Sequence, residues 1–161
     1  MKKIQLTQGK VALVDDEDYE LVSLFNWQYH NNNKVERAVS SFRLNDKVFV
    51  LYMHRLIMNT PKGMVVDHKY HNGLDNRKKY LRNCTNQQNL MNALSKGGTS
   101  QYKGVAWVIK KKKWMASIMI NGKNKHIGYF HEEKAAAQAY DIMARKLFGE
   151  FAYFNNIGVI S

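Results

Sequence analysis

Cysteine is almost absent from the 161-residue chain: Cys84 stands alone. An intramolecular disulfide is therefore excluded, and so is a zinc site built on paired thiolates. No apolar run approaches the ~20 residues of a membrane span. The opening residues, MKKIQLTQGK, lack the apolar core of a signal peptide. The expectation is a protein kept in a reducing cytoplasm, without a membrane partner. Acidic residues are scarce beyond residue 50. Residues 1–50 hold seven Lys/Arg and seven Asp/Glu, residues 51–95 seven against two, and residues 96–161 eleven against four. All of the net +12 charge thus lies in the later part of the chain. Such an excess suits a polyanion, because each neutralised phosphate releases counterions. A solubility surface or a ribosome-like basic protein would carry a similar excess.

What is present is enough for a folded protein, with 45% hydrophobic and 12% aromatic residues. GKVALV alternates like a strand, and DDEDYELVSLFNW reads as a helix with acids at its start. HNNNK (30–34) reads as a loop. VERAVSSFR and KVFVLYMH are strands joined at Asn45-Asp46, and HRLIMN is a short helix ended by Pro61 and Gly63. Next come a strand, GMVVDH, a loop turning at Asn72-Gly73, and a second strand, YLRNC. Thr85 and Gln88 form a capping-box pattern before the helix NQQNLMNAL. SKGGTSQ is small and polar, and reads as a linker. Beyond it lie three strands in meander order with a turn at Asn121-Gly122, then the helix EEKAAAQAYDIMARKLFG. Its stripe of Ala136, Ala139/Tyr140, Met143 and Leu147 must be buried, and one face of the sheet is the place for it.

The chemistry-bearing stretch is VVDHKYHNGLDNRKKYLRNCTNQQN, residues 65–89. Phosphodiester hydrolysis needs a base for water, neutralisation of phosphoryl charge and help for the departing oxygen. A histidine near neutrality suits the first task. A hard cation held by one carboxylate and neutral oxygen donors suits the others. Asp67 and His68 end a strand, where both would border one site, and Asn89 on the following helix would supply a second ligand. Ordinary turn chemistry also uses Asn and Asp in this way.

With its His-Arg (54–55), Asp-His (67–68), Asn-Gly (72–73), Asp-Asn-Arg (75–77), Leu-Arg (81–82) and Gln-Asn (88–89) pattern, the segment from His54 to Asn92 resembles the HNH nucleases of phage and intron homing endonucleases. That family folds as a β-β-α metal unit. The resemblance implies His68 as general base, with Asp67 and Asn89 as ligands of a divalent metal, Mg²⁺ or alternatively Mn²⁺. The family's middle Asn directly precedes the Leu of the second strand, and here that position is Tyr80. Asn76 is the residue expected to take over. His54, Arg55, Arg77, Lys78, Lys79 and Arg82 are phosphate-contact candidates, although a solvated basic face would look the same.

Tyr102-Lys103-Gly104-Val105, Trp114, Ile127-Gly128-Tyr129-Phe130, AAAQAYD and Asn155 are similar to the AP-two/ERF DNA-binding domain. That resemblance implies a sheet lying in the major groove with the helix behind it. Lys103, Val108, Lys110, Ser117, Met119, Asn124 and His126 would then lie nearest DNA. Lys111, Lys112 and Lys113 would join Lys110 in gripping phosphates. The base code does not transfer, because Ser117 and Met119 stand where the plant domains carry arginines and an aromatic.

The expected whole is α+β, with an HNH module at 1–95 (its β-β-α core about 64–95), a linker at 96–101 and a DNA-binding domain at 102–157. The expected activity is metal-dependent cleavage of double-stranded DNA, with no obligate protein partner, in the host cytoplasm if the chain is phage-encoded. The rival reading is a DNA-binding regulator on the same two modules, with a weakened or inactive centre.

Overall fold

A computed structural model describes residues 1–32 and 35–157. The chain is α+β, built from several small sheets, and it divides into two compact units between Asn86 and Gln87. The division falls ahead of residues 96–101, which form no helix or strand.

The first unit opens with an antiparallel hairpin, β1 (Lys2–Gln5) and β2 (Val11–Val14). The strand β1 goes beyond the sequence expectation, since Ile4 and Leu6 are the only alternating apolar signal there. The acids Asp16–Asp18 form a 3-10 turn that leads into α1 (Tyr19–Ser23). A three-stranded sheet follows in the order β3 (Gln28–Asn32), β4 (Val35–Leu44), β5 (Lys47–Tyr52). Residues 30–32, expected in a loop, thus extend β3, while residues 33–34 of that expectation lie outside the described residues. Asn45 and Asp46 both take positive φ, 47° and 58°, as a two-residue hairpin turn requires. The short α2 (Met53–Ile57) leads to the hairpin of β6 (Val65–His68) and β7 (Leu81–Cys84). Ile4, Val14, Val22, Trp27, Met53 and Leu81 join in one buried core. The Trp27 indole N–H donates to the Val22 carbonyl at 2.8 Å, so its polar edge is satisfied inside that core.

The second unit contains all but the first residue of α3 (Asn86–Asn92), then β8 (Val105–Val108), β9 (Lys113–Ile120) and β10 (Lys123–Phe130) in meander order, then α4 (Glu133–Phe148). Alternation along β9 buries Ala116 and Ile118 against Ala136, Tyr140 and Ala144 of α4. Burial of a side chain such as Ile118 contributes roughly 1.5–3 kcal/mol. The helix stripe runs 136, 140, 144, 148. Phe148 is buried, whereas Leu147, expected on the stripe, is 41% exposed because one residue further along rotates a side chain by about 100°. Gly104 has φ +76°, and a Cβ there would run into the Tyr140 ring and come within 2.6 Å of the Ser117 carbonyl oxygen. Glycine at this position lets the chain pass directly beneath α4.

Candidate functional site

In β6 and β7, Asp67 is in register with Arg82, and His68 with Leu81. Successive strand residues face opposite ways, and the two side chains accordingly have different neighbours. The His68 ring meets the edge of His54 (centroids 5.1 Å apart), which in turn lies against Tyr52 at 5.6 Å. Asn76 is fully buried. Its position is fixed by the N-terminal hairpin: Leu13 N–H donates to the Leu74 carbonyl (2.9 Å), and Asn76 N–H donates to the Leu13 carbonyl (2.8 Å). The Lys78 N–H reaches Asp15 Oδ2 at 2.8 Å. Residues 11–18 therefore hold the site loop in place, which gives the charge-neutral N-terminal segment a scaffolding role. The turn at Gly73 lies so close to β4 that a Cβ there would run into the Glu36 carbonyl.

His68, Tyr70, Asn72, Asp75 and Tyr80 line an open cleft of about 220 Å³. Burial pushes the His68 imidazole below its ordinary pKa, against the opposing pull of the Asn76 side chain and the carboxylates of Asp67 and Asp75. His54 is pushed down to about 3, by burial first and then by His68, Arg37 and Arg55. Burial thus favours the neutral form of both rings. A neutral imidazole bordering a cleft is able to accept a proton.

The expected ligands are arranged differently from the base. Asp67 is 4% exposed, and Arg82 Nε and Nη2 donate to its Oδ2 at 2.8 and 2.6 Å. Asn89 lies on α3, within the second unit. Among the described residues no three His, Cys, Asp or Glu side chains cluster as a metal site. Taken by donor type, a carboxylate and an amide are among the oxygen donors that a hard cation such as Mg²⁺ or Mn²⁺ takes while keeping most of its water.

The loop cations expected at phosphate are largely occupied within the unit. Arg77 makes a two-pronged pair with Asp75 (2.8 and 2.6 Å) and lies over the Tyr80 ring at 4.4 Å. Although burial acts to raise the Asp75 carboxyl, the Arg77 hydrogen bonds outweigh it and hold the group below its ordinary value. Lys78 Nζ bridges Glu17 (2.6 Å) and Asp18 (2.9 Å). Arg55 donates to the Met64 carbonyl at 2.9 Å. His54, a phosphate-contact candidate, is buried against His68. Lys79 is exposed, its ammonium 4.7 Å from the Tyr80 ring centroid.

In the second unit the face of the sheet opposite α4 carries Ser117 across from His126, and Met119 across from Asn124. A bulge between His126 and Gly128 reverses the alternation, so Tyr129 lies across from Met115 on this same face. Strict alternation would put Tyr129 on the other side. The sequence signal for the bulge is Gly128 inside a strand pattern. Lys111 Nζ lies 4.6 Å from the Tyr129 ring centroid, and Lys110, Lys111 and Lys112 are exposed on the turn that leads from Val108 into β9. Lys113, half-buried, opens β9 opposite Val108.

Lys103 departs from expectation. Its ammonium donates to the carbonyls of Leu90 (3.2 Å), Met91 (2.6 Å) and Ala93 (2.7 Å), closing the C-terminal end of α3. Burial pulls its pKa to about 8, while three carbonyl acceptors favour the charged form.

Over 151 residues the chain is 34% identical to an uncharacterized HNH endonuclease of Acanthamoeba polyphaga mimivirus, a match covering 93% of this chain and 77% of that one. No family model and no solved structure matches it.

Proposed function

Because the chain belongs to the HNH endonuclease family, we propose that it hydrolyses phosphodiester bonds of double-stranded DNA, with His68 as general base, and that the C-terminal sheet binds the target. The observation that carries this reading is the His68 ring bordering a cleft walled by Tyr80 and Asp75, in the loop that holds the buried Asn76. His68 accepts the proton of the attacking water. Asn76 occupies the loop-fixing position left open by Tyr80, since its backbone is tied to β2. Asp67 and Asn89 would hold the divalent metal, by the roles their family positions imply. Bound there, the metal supplies positive charge for the phosphoryl and leaving oxygens. No helix among the described residues is long and apolar enough to cross a membrane.

For DNA binding, a three-stranded meander backed by one helix supports the AP-two/ERF-like reading, and such a sheet fits the major groove by width. Val108, Ser117, Met119, Asn124 and His126 lie on the face proposed to meet the bases, with Tyr129 added to them. Lys110 to Lys113 grip phosphate. Replacing all four by Ala is expected to flatten the dependence of log K on log salt by about 0.9 for each phosphate no longer neutralised. An unchanged slope in a fluorescence-anisotropy titration would remove the lysine turn from the interface.

The direct test is conversion of supercoiled plasmid to nicked or linear form. The purified chain is expected to convert it with Mg²⁺ and to stop when a chelator is added. Retained duplex binding with no conversion would favour a second reading, a DNA-binding regulator, for which Tyr80 at the middle Asn position is the supporting observation. Conversion that survives the chelator would refute metal-dependent hydrolysis.

A further inference from the structure

Tyr70 stands two residues beyond His68 and lines the same cleft. Its surface is 72% exposed. A lone exposed aromatic is ordinary in a folded protein, but the chain on both sides of this one is anchored. Lys69 N–H donates to the Tyr80 carbonyl at 2.9 Å, and Lys69 Nζ donates to the Lys79 carbonyl at 3.0 Å. His71 takes a left-handed conformation, φ 63°, and its N–H donates to the His68 carbonyl at 3.0 Å. The Tyr70 ring meets that of Tyr80 at 73°, with centroids 5.7 Å apart. Tyr80 is held in turn by the Arg77 guanidinium at 4.4 Å and the Lys79 ammonium at 4.7 Å from its ring centroid. A ring ordered in this way and still open to solvent loses little freedom when a flat partner lies against it. The charge around it is of one kind: residues 68–80 carry Lys69, Arg77, Lys78 and Lys79 against the single acid Asp75. Arg77 and Lys78 are paired within the unit, whereas Lys79 is exposed beside the rings. A flat apolar surface with a cationic rim suits a planar group that is joined to phosphate, which is a nucleotide.

We propose that Tyr70, backed by Tyr80, is a substrate-binding residue that receives the base next to the scissile phosphate. The inference rests on the reading of the His68 cleft as the place of cleavage, and it names what the cleft grips besides phosphate. Because His68 and Tyr70 line one cleft, a phosphate at His68 brings its own nucleoside to the Tyr70 ring. The faces of a paired base are covered by its neighbours in the stack, so the contact requires that base to be partly unstacked. Every base has a π face, and Tyr70 therefore adds grip at the cut without fixing a sequence there.

The test uses the full chain and a labelled duplex carrying the nick mapped on the plasmid. The duplex is intact, or has an abasic residue on one side of the cut or on the other. Tyr70→Ala is expected to lower kcat/KM for the intact duplex by about fivefold to a hundredfold, the range that one base stacked on an aromatic ring contributes. Tyr70→Phe should stay within about twofold of the wild type, because the ring carries the contact. On the duplex that lacks the contacted base, wild type and Tyr70→Ala should differ by less than about twofold, a convergence that a purely structural role of the ring would not produce. The same loss on all three duplexes would overturn the base contact and assign the ring to the fold or to the sugar–phosphate chain. A Tyr70→Ala chain as active as the wild type on the intact duplex would overturn it too. In either case a His68→Ala chain that no longer nicks leaves the cleavage reading standing. If His68→Ala nicks at the wild-type rate, or the wild type nicks nothing, the cleavage reading fails and takes the inference with it. Tyr70 is exposed, so its variants are expected to fold, and Tyr70→Phe carries the control.

Discussion

Replacing His68 by Ala is expected to slow plasmid nicking by about two to four orders of magnitude, the range that a positioned general base contributes. Duplex binding should change less than twofold, because the proposed binding face lies in the second unit. The expectation follows from the environment of the ring. Burial favours its neutral form, His54 packs against it, and the ring borders the cleft. The substitution leaves a gap beside His54, so a folding control is needed. Circular dichroism and a denaturant melt should show a folded protein at the assay temperature. A folded His68→Ala chain that nicks at the wild-type rate would assign cleavage to another group or to a contaminant. A His68→Gln chain, which fills the same space without a base of suitable pKa, should be as slow as the Ala variant.

How much of this is legible in the sequence differs from element to element. The β6–β7 hairpin, the strand order of the second unit and α4 are readable because alternation, Asn-Gly turns and a helical stripe are local signals. The strand β1 is not, because KKIQ carries one buried residue and takes its strand form from pairing with β2. Asp67 and His68 stand out by their motif, and the burial of Asn76, expected to stand in at the position taken by Tyr80, comes from its ties to β2, which no local signal announces. The partners of the loop cations are not legible. Asp15, Glu17 and Asp18 lie about sixty residues from Lys78 in sequence, and nothing local announces that they meet. Net charge counts Arg77, Lys78 and Arg82 as open to phosphate, whereas each has an acidic partner in the fold. Lys103 is a similar case: the α3 carbonyls that hold its ammonium lie ten to thirteen residues earlier, and nothing local announces them.

The Asp67–Arg82 pair supports the second large expectation. The side chains keep 5% and 11% of their surface exposed, so solvent screens them little. Arg82→Met keeps much of the length of the side chain but removes the guanidinium, leaving the Asp67 carboxylate in a poorly solvated position. The first unit is expected to lose about 3–5 kcal/mol, the usual cost of breaking a buried pair from one side. At roughly 4–8 °C per kcal/mol for a domain of this size, that is enough to unfold part of the population at 37 °C. The double variant Asp67→Leu/Arg82→Met should recover most of the loss, because apolar replacement of both partners removes the stranded charge. A loss below about 1 kcal/mol in a urea melt would place the pair among solvent-screened surface bridges. The same variant also probes the metal. A divalent cation bound at Asp67 would share the carboxylate with Arg82 in the wild type, and in Arg82→Met that competition is gone. If Asp67 is a ligand, Mg²⁺ or Mn²⁺ should stabilise the variant more than it stabilises the wild type, since ligand binding to the folded state adds stability by mass action. Equal stabilisation of the two chains would mean that Asp67 serves the hairpin alone.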